Sequence, residues 1–91
     1  MDDDRLKKLR FRAWHRGFRE ADLILGQFAD AWLAELGPQD LDRFEALLDH
    51  PDQDVYAWII GQTPPPAAFD TALLGRLQQF SRSAPMAREG A

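Results

Sequence analysis

Arg16, Gly17 and Glu20 form the pattern R-G-x-x-E, and residues of these types at this spacing could dock a polar partner. The arginine guanidinium carries a planar set of donors that suits carboxylate or phosphate, and the glutamate offers an acceptor one helical turn later. Glycine has no Cβ, so another surface can approach its backbone closely. The alternative is an ordinary ion pair between Arg16 and Glu20 on a solvated helix, which stabilises a helix by only about 0.3 kcal/mol.

Basic residues surround this motif. Residues 1–20 contain seven of the eleven lysines and arginines and four of the fifteen acids, so residues 21–91 contain four basic residues and eleven acids. This asymmetry predicts a positive end and a negative body, which would orient an encounter with a polar partner. Arg12 and Arg19 lie on either side of the motif and are candidate partner-binding residues. The alternative is that these side chains simply solvate a short helix.

Apolar residues recur at steps of three and four through most of the chain, and no segment alternates as a strand does. Gly37, Pro38, Pro51 and Gly61 divide the pattern into segments. The predicted helices cover residues 4–15, 20–36, 38–48, 52–60 and 69–80. The expected buried stripe of the central helix is Ala21, Ile24, Leu25, Phe28, Ala31, Trp32 and Leu36. We therefore predict an all-α fold, a small bundle of four to five short helices in a single domain over residues 1–80, with a flexible tail at 81–91.

The residues after His50-Pro51 carry a second group of acids. Asp52 is placed to cap the helix that follows, and Trp58 is spaced for the core. A contact of Asp52 and Asp54 with a partner is the alternative, and both are retained as candidate partner-binding residues. A calcium loop is excluded, because Tyr56 and Trp58 occupy positions where further oxygen ligands would be needed.

Several classes of chemistry have no matching residues. The chain has no cysteine, and its two histidines lack the paired spacing of a zinc helix, so surface or capping roles are expected for His15 and His50. No set of side chains suggests an enzyme, and no long apolar run suggests membrane insertion. The sequence pI of about 5.0 weighs against nucleic acid as the main partner, although the basic first helix leaves that alternative open.

Two stretches read together resemble the SdhE family, the small FAD assembly factors of succinate dehydrogenase, also known as the succinate dehydrogenase assembly factor 2 family. The stretches are Arg16-Gly17-x-x-Glu20 leading into Asp22-Leu23-Ile24-Leu25-Gly26-x-Phe28, and Phe44-Glu45-x-Leu47-Leu48-Asp49-x-Pro51-Asp52-x-Asp54-Val55-x-x-Trp58-Ile59-x-Gly61. The resemblance spans residues 5–62, and the pairing of the two stretches is more specific than either alone.

The resemblance implies a chaperone-like, non-enzymatic assembly factor that binds the flavoprotein subunit of succinate dehydrogenase, and often that of fumarate reductase. It promotes covalent attachment of FAD to a histidine of that subunit and does not hold FAD tightly itself. The family motif lies at the interface, which assigns partner binding to Arg16, Gly17 and Glu20. A cytoplasmic bacterial protein that is monomeric when free is expected. The alternative function is an antitoxin or another small helical interaction module, a label that some relatives carry.

Overall fold

The computed structural model describes residues 3–83, and all regular secondary structure in that range is helical. The chain forms five α-helices: α1 (Asp3–Trp14), α2 (Arg19–Trp32), α3 (Pro38–Leu48), α4 (Asp52–Ile59) and α5 (Ala72–Ser83). Two single-turn 3-10 helices, Leu33–Glu35 and Ala67–Phe69, follow α2 and precede α5. The predicted all-α bundle of four to five helices is confirmed.

Glycine and proline set two of the helix boundaries as expected. Pro38 is the first residue of α3, where its missing N–H leaves no hydrogen bond unmade. Gly61 has a φ of +82°, and the N–H of Gln62 donates back to the carbonyl of Ala57 at 2.9 Å. This arrangement satisfies a carbonyl at the end of α4 and favours glycine, because other residues seldom adopt a positive φ.

The central helix differs from its prediction in length and in rotation. The α-helix ends at Trp32 and tightens into the 3-10 turn, whereas the pattern predicted a helix through Leu36. Ala31 and Trp32 were expected in the core and are exposed, and Ala29 and Leu33 are buried in their place. Apolar residues occur on both sides of the true stripe, so periodicity alone could not determine which of them faces inward.

The last helix also differs at both ends. It begins at Ala72, because the Thr71 hydroxyl accepts a hydrogen bond from the N–H of Leu74 at 3.4 Å and so caps the helix. Phe69, the predicted first residue, belongs to the preceding 3-10 turn. The helix continues to Ser83, and Ser81 is buried, so three residues assigned to the tail are helical. The remainder of the predicted tail, 84–91, lies outside the described residues.

The core is built from apolar side chains of all five α-helices. Phe28 of α2 and Phe44 of α3 are fully buried and stack with their ring centroids 6.0 Å apart. Trp58 of α4 is 7% exposed, which confirms its predicted place in the core. Helix α1 packs mainly on α2, and α5 packs on α2 and α4. The bundle thereby fixes the start of α2 close to the start of α4.

Gly26 lies in the middle of α2, where glycine weakens a helix, and the packing of α1 explains its presence. The six-membered ring of the Trp14 indole covers Gly26 so closely that a Cβ there would overlap it. The Trp14 indole N–H also donates to Asp30 of α2 at 3.2 Å. The absence of a side chain at this position therefore lets α1 approach α2.

We expect Gly26→Ala to lower the free energy of unfolding by about 2 kcal/mol, because steric overlap with Trp14 exceeds the better helix propensity of alanine. Gly75→Ala in α5 is the matched control. An added Cβ at Gly75 meets no atom within 4 Å, so this variant should gain about 0.5 kcal/mol. Urea unfolding of both variants measures the difference, and a stabilised Gly26→Ala protein would contradict the packing argument.

Candidate partner-binding site

The R-G-x-x-E motif occupies the turn between α1 and α2 and the first turn of α2. Helix α1 ends at Trp14, and Phe18 occupies the N-cap position of α2 with an extended backbone. Arg16 and Gly17 therefore lie in the connection, whereas Glu20 lies on the helix. Gly17 and Glu20 are both exposed, as a docking role requires.

Arg16 is directed into the protein. Its side chain is 7% exposed, and its guanidinium donates to the carbonyls of Leu48 at 2.7 Å and His50 at 2.9 Å. The same group pairs with the Asp52 carboxylate at 2.6 Å. The Leu48 carbonyl belongs to the last residue of α3 and the His50 carbonyl lies just beyond it, so the Arg16 cation complements the negative end of the α3 dipole. The Asp52 carboxylate with which it pairs lies at the positive end of α4. Arg16 thus joins α3 to α4.

These contacts correct two sequence-based expectations, on ion pairing and capping, and they bear on a third, the role of Arg16. Arg16 was expected to offer its donors to a partner, and they instead bind oxygens of its own chain. The alternative of an Arg16–Glu20 pair is also wrong, since the carboxylate that pairs with Arg16 is Asp52. Asp52 was expected to cap α4, but Pro51 occupies the N-cap position and no side-chain cap bond forms. In each case a residue distant in sequence competes successfully with a local partner.

Gly17 lies directly against the same carboxylate. A Cβ at this position would overlap Oδ2 of Asp52, while Oδ1 of Asp52 accepts the hydrogen bond from Arg16. The backbone N–H of Arg16 donates to Asp22 of α2 at 2.5 Å, which holds the connection from its other side. Gly17 is therefore explained by close approach to a side chain that the neighbouring arginine fixes in place.

A groove opens between this connection and the start of α4. Its volume is about 790 Å³, and Phe18 and Tyr56 form an edge-to-face aromatic pair within it, with ring centroids 5.1 Å apart. Both acids predicted at the start of α4 line the groove, and Asp54 is exposed. The lining residues are Gly17, Phe18, Pro51, Asp52, Gln53, Asp54, Tyr56 and Gln62. We refer to this set as the Tyr56 groove.

Burial raises the pKa of the Tyr56 phenol above its usual value of 10.0, and the negative charge of Glu20 raises it further. Because the folded protein disfavours the phenolate, this group contributes stability below pH 10, and the contribution is lost as the pH rises through the raised pKa. The Glu20 carboxylate lies close enough to Tyr56 to act on its phenol, although Glu20 does not line the groove.

Tyr56 is the only tyrosine in the chain, so phenolate absorbance near 295 nm reports its titration alone. We expect a midpoint above pH 10, and a lower midpoint in Glu20→Gln because the repelling charge is gone. Glu35→Gln, which neutralises an exposed acid on the 3-10 helix after α2, serves as the control and should leave the midpoint unchanged. Equal midpoints in all three proteins would contradict the placement of Glu20.

The predicted positive end is partly neutralised within the molecule. Arg5 pairs with Asp42 and Glu45 of α3, and Arg12 pairs with Asp49 at 2.6 Å, in addition to the internal pair of Arg16. Three of the seven N-terminal cations therefore bind the acidic body of the same molecule. The charge asymmetry of the sequence overstated the asymmetry of the surface, since packing α1 against α3 brings the opposite charges together.

The other candidate residues divide by exposure. Arg12 is partly exposed in its ion pair, and Arg19 is exposed at the first position of α2, where it pairs with no acid of the described range. His50 was expected at the surface or as a cap, and it is half-buried against Phe69 and Trp58, with ring centroids 4.6 and 5.8 Å away. The binding role of the seven candidates stays a prediction.

Residues 3–83 contain no group of three histidine, aspartate or glutamate side chains arranged to hold a metal ion. Within the same residues, no helix is long and apolar enough to cross a membrane.

A family described as the flavinator of succinate dehydrogenase, Sdh5, matches residues 7–81, which include α2, α3 and α4 in full and most of α1 and α5. The chain belongs to the Sdh5 family. It is 35% identical over 78 residues to the FAD assembly factor SdhE of Acetobacter pasteurianus, a match covering 86% of this chain and 72% of that protein.

Two mitochondrial relatives are similar at comparable identity. Both are named succinate dehydrogenase assembly factor 2: that of Dictyostelium discoideum is 34% identical over 80 residues and that of Kluyveromyces lactis 33% over 85 residues. The matches cover 88% and 89% of this chain but only 57% and 52% of the two relatives. The chain thus spans little more than half the length of these proteins.

Membership of the Sdh5 family agrees with the resemblance drawn from the two sequence stretches, and the Tyr56 groove is where those stretches meet. Sequence reasoning did not identify Phe18, Asp22 or Tyr56 as site residues. Asp22 and Tyr56 both lie within the two family-like stretches, and Tyr56 was treated as a variable position between Val55 and Trp58. An aromatic residue in the first turns of a helix that begins with two acids was the available signal for Tyr56.

Proposed function

We propose that this protein binds the flavoprotein subunit of succinate dehydrogenase and promotes the covalent attachment of FAD to it. The observation that carries this proposal is the family match over residues 7–81, which includes both stretches that form the Tyr56 groove. The matched relatives bear the names of FAD and succinate dehydrogenase assembly factors. The antitoxin alternative gains no support from them.

The protein acts by binding and not as an enzyme. Holding the flavoprotein in the conformation whose histidine faces the isoalloxazine ring raises the population of the reactive arrangement, provided that this conformation is bound more tightly than others. The exposed backbone at Gly17 is open to contact by the partner, and the exposed Glu20 and Asp54 supply acceptors. FAD itself remains in the pocket of the partner, so this chain serves as a chaperone for the reaction.

The proposal extends to three finer points. The fumarate reductase flavoprotein is a second client, as the resemblance to the SdhE family implies. The protein acts as a monomer in the bacterial cytoplasm, in keeping with a bacterial relative among the matches. Arg12 and Arg19, at the margins of the motif, contact the client outside the groove.

Deletion of the gene tests the function directly. We expect the in-gel fluorescence of the flavinylated subunit to fall, and plasmid-borne wild-type protein to restore it. Glu20→Ala should restore it poorly, whereas Glu35→Ala, which also removes an exposed acid, should restore it fully. Normal flavinylation in the deletion strain would defeat the proposal.

A further inference from the structure

We propose that the Tyr56 groove receives a cationic side chain, arginine or lysine, of the flavoprotein client. The inference rests on the proposed function for the identity of the client, while the chemistry follows from the groove itself. The inference specifies which part of the flavoprotein contacts the Tyr56 groove: a positively charged side chain that projects from the surface of the flavoprotein.

The groove has ample room for a long side chain. The cavity of about 790 Å³ is open to solvent along the turn that contains Gly17 and Phe18 and along the first two turns of α4. Phe18 and Tyr56 are both half-buried and meet edge to face, which leaves aromatic surface on the groove wall. The apolar stem of an arginine or lysine can pack on such surface, and its charged group is attracted to a ring face.

The charged side chains of the groove decide the sign of its occupant. Asp52 and Asp54 line it, no lining residue is cationic, and Glu20 lies close enough to act on Tyr56. The nearest arginine, Arg16, is directed to the Leu48 and His50 carbonyls and is buried. The buried guanidinium of Arg16 neutralises the charge of Asp52 from the protein side, and it is not accessible to an occupant of the groove.

Asp54 and Glu20 are exposed and form no ion pair with the residues of 3–83. An anionic or purely apolar occupant would leave these carboxylates without compensation when water is displaced, which is costly. A guanidinium or ammonium group would pair with them while its stem covers the rings. Aromatic wall and uncompensated acids together therefore select a cation.

The first test uses a peptide and needs no client. N-acetyl-Ala-Arg-Ala-amide is titrated into the full chain and compared with the same peptide carrying citrulline, which keeps the shape of arginine without its charge. We expect saturable NMR shifts of Gly17, Phe18 and Tyr56 with the arginine peptide only. Asp54→Asn should weaken this binding about fivefold, and Glu35→Gln, with the same loss of charge, should not change it. Equal shifts with both peptides overturn the inference.

The second test measures the affinity of the purified flavoprotein subunit by biolayer interferometry. Asp54→Asn should weaken binding about fivefold. Added salt screens the charge of Asp54, so it should reduce the difference in affinity between Asp54→Asn and wild type. Equal affinities for Asp54→Asn, Glu35→Gln and wild type overturn the groove assignment while leaving the proposed function intact. Arginine-selective peptide binding without any binding of the flavoprotein overturns the proposed function and leaves the cation preference of the groove standing.

Discussion

We expect Arg16→Met to lower the free energy of unfolding by about 3 kcal/mol, because it leaves a partly buried Asp52 carboxylate and two carbonyls without their donor. For a domain of this size the loss corresponds to a fall of about 15 °C in the midpoint of thermal unfolding. Methionine keeps most of the length of the side chain, so the change reports charge and hydrogen bonding more than volume. Thermal unfolding followed by circular dichroism measures it.

Arg12→Met is the matched control, since Arg12 also pairs with an aspartate at 2.6 Å but in an exposed position. Exposed pairs contribute about 0.5 kcal/mol, so this variant should unfold close to wild type. Arg16→Lys should recover only part of the loss, because one ammonium group cannot reproduce a planar fork that reaches three oxygens. Equal losses of unfolding free energy in Arg16→Met and Arg12→Met would show that the burial of Arg16 does not increase its contribution to stability.

We expect Gly17→Ala to lower flavinylation of the client about tenfold in the complementation assay, provided that the proposed function holds. The added methyl group overlaps Oδ2 of Asp52, and Arg16 restrains that carboxylate from turning away. The turn or the carboxylate must shift, which changes the surface between Gly17 and the Tyr56 groove. Gly75→Ala, made on an open face of α5, should support normal flavinylation.

A double-mutant cycle separates this steric effect from general disruption. Asp52→Ala removes the obstructing carboxylate, so Gly17→Ala should cost about 1 kcal/mol less in that background than in wild type. Urea unfolding of the four proteins gives the coupling energy. Additive effects would mean that Gly17 is required for a reason other than its contact with Asp52.

Local pattern was sufficient for most of the fold. The apolar stripes of α3 and α4 and the boundaries at Pro38 and Gly61 follow from backbone chemistry that acts within a few residues. Prediction failed where neighbouring residues offered equivalent choices. Trp32 and Leu33 are both apolar, and the face that turns inward depends on how α2 meets the rest of the bundle.

The candidate site shows the same division more sharply. The two stretches that resemble the family were visible in the sequence, and they contain every residue that lines the groove except Gln62. Their contacts were not visible, because Arg16 and Asp52 lie 36 positions apart and meet only after α3 and α4 have packed. A local rule pairs Arg16 with Glu20. In the folded chain, Arg16 instead binds the carbonyls at the end of α3 and the Asp52 carboxylate at the start of α4.

The sequence by itself determined that this is an all-helical protein of the Sdh5 family with its distinctive residues near 16–20 and 44–61. Those conclusions depend on residue type and spacing, which can be read from the sequence without the folded structure. Only the tertiary structure decided which motif residues are exposed: it buries the arginine side chain, exposes the glycine and the glutamate, and brings Phe18 and Tyr56 together in the groove beside Gly17. The physical reason is that burial and charge compensation depend on every element that packs around a side chain, and short-range spacing does not contain that information.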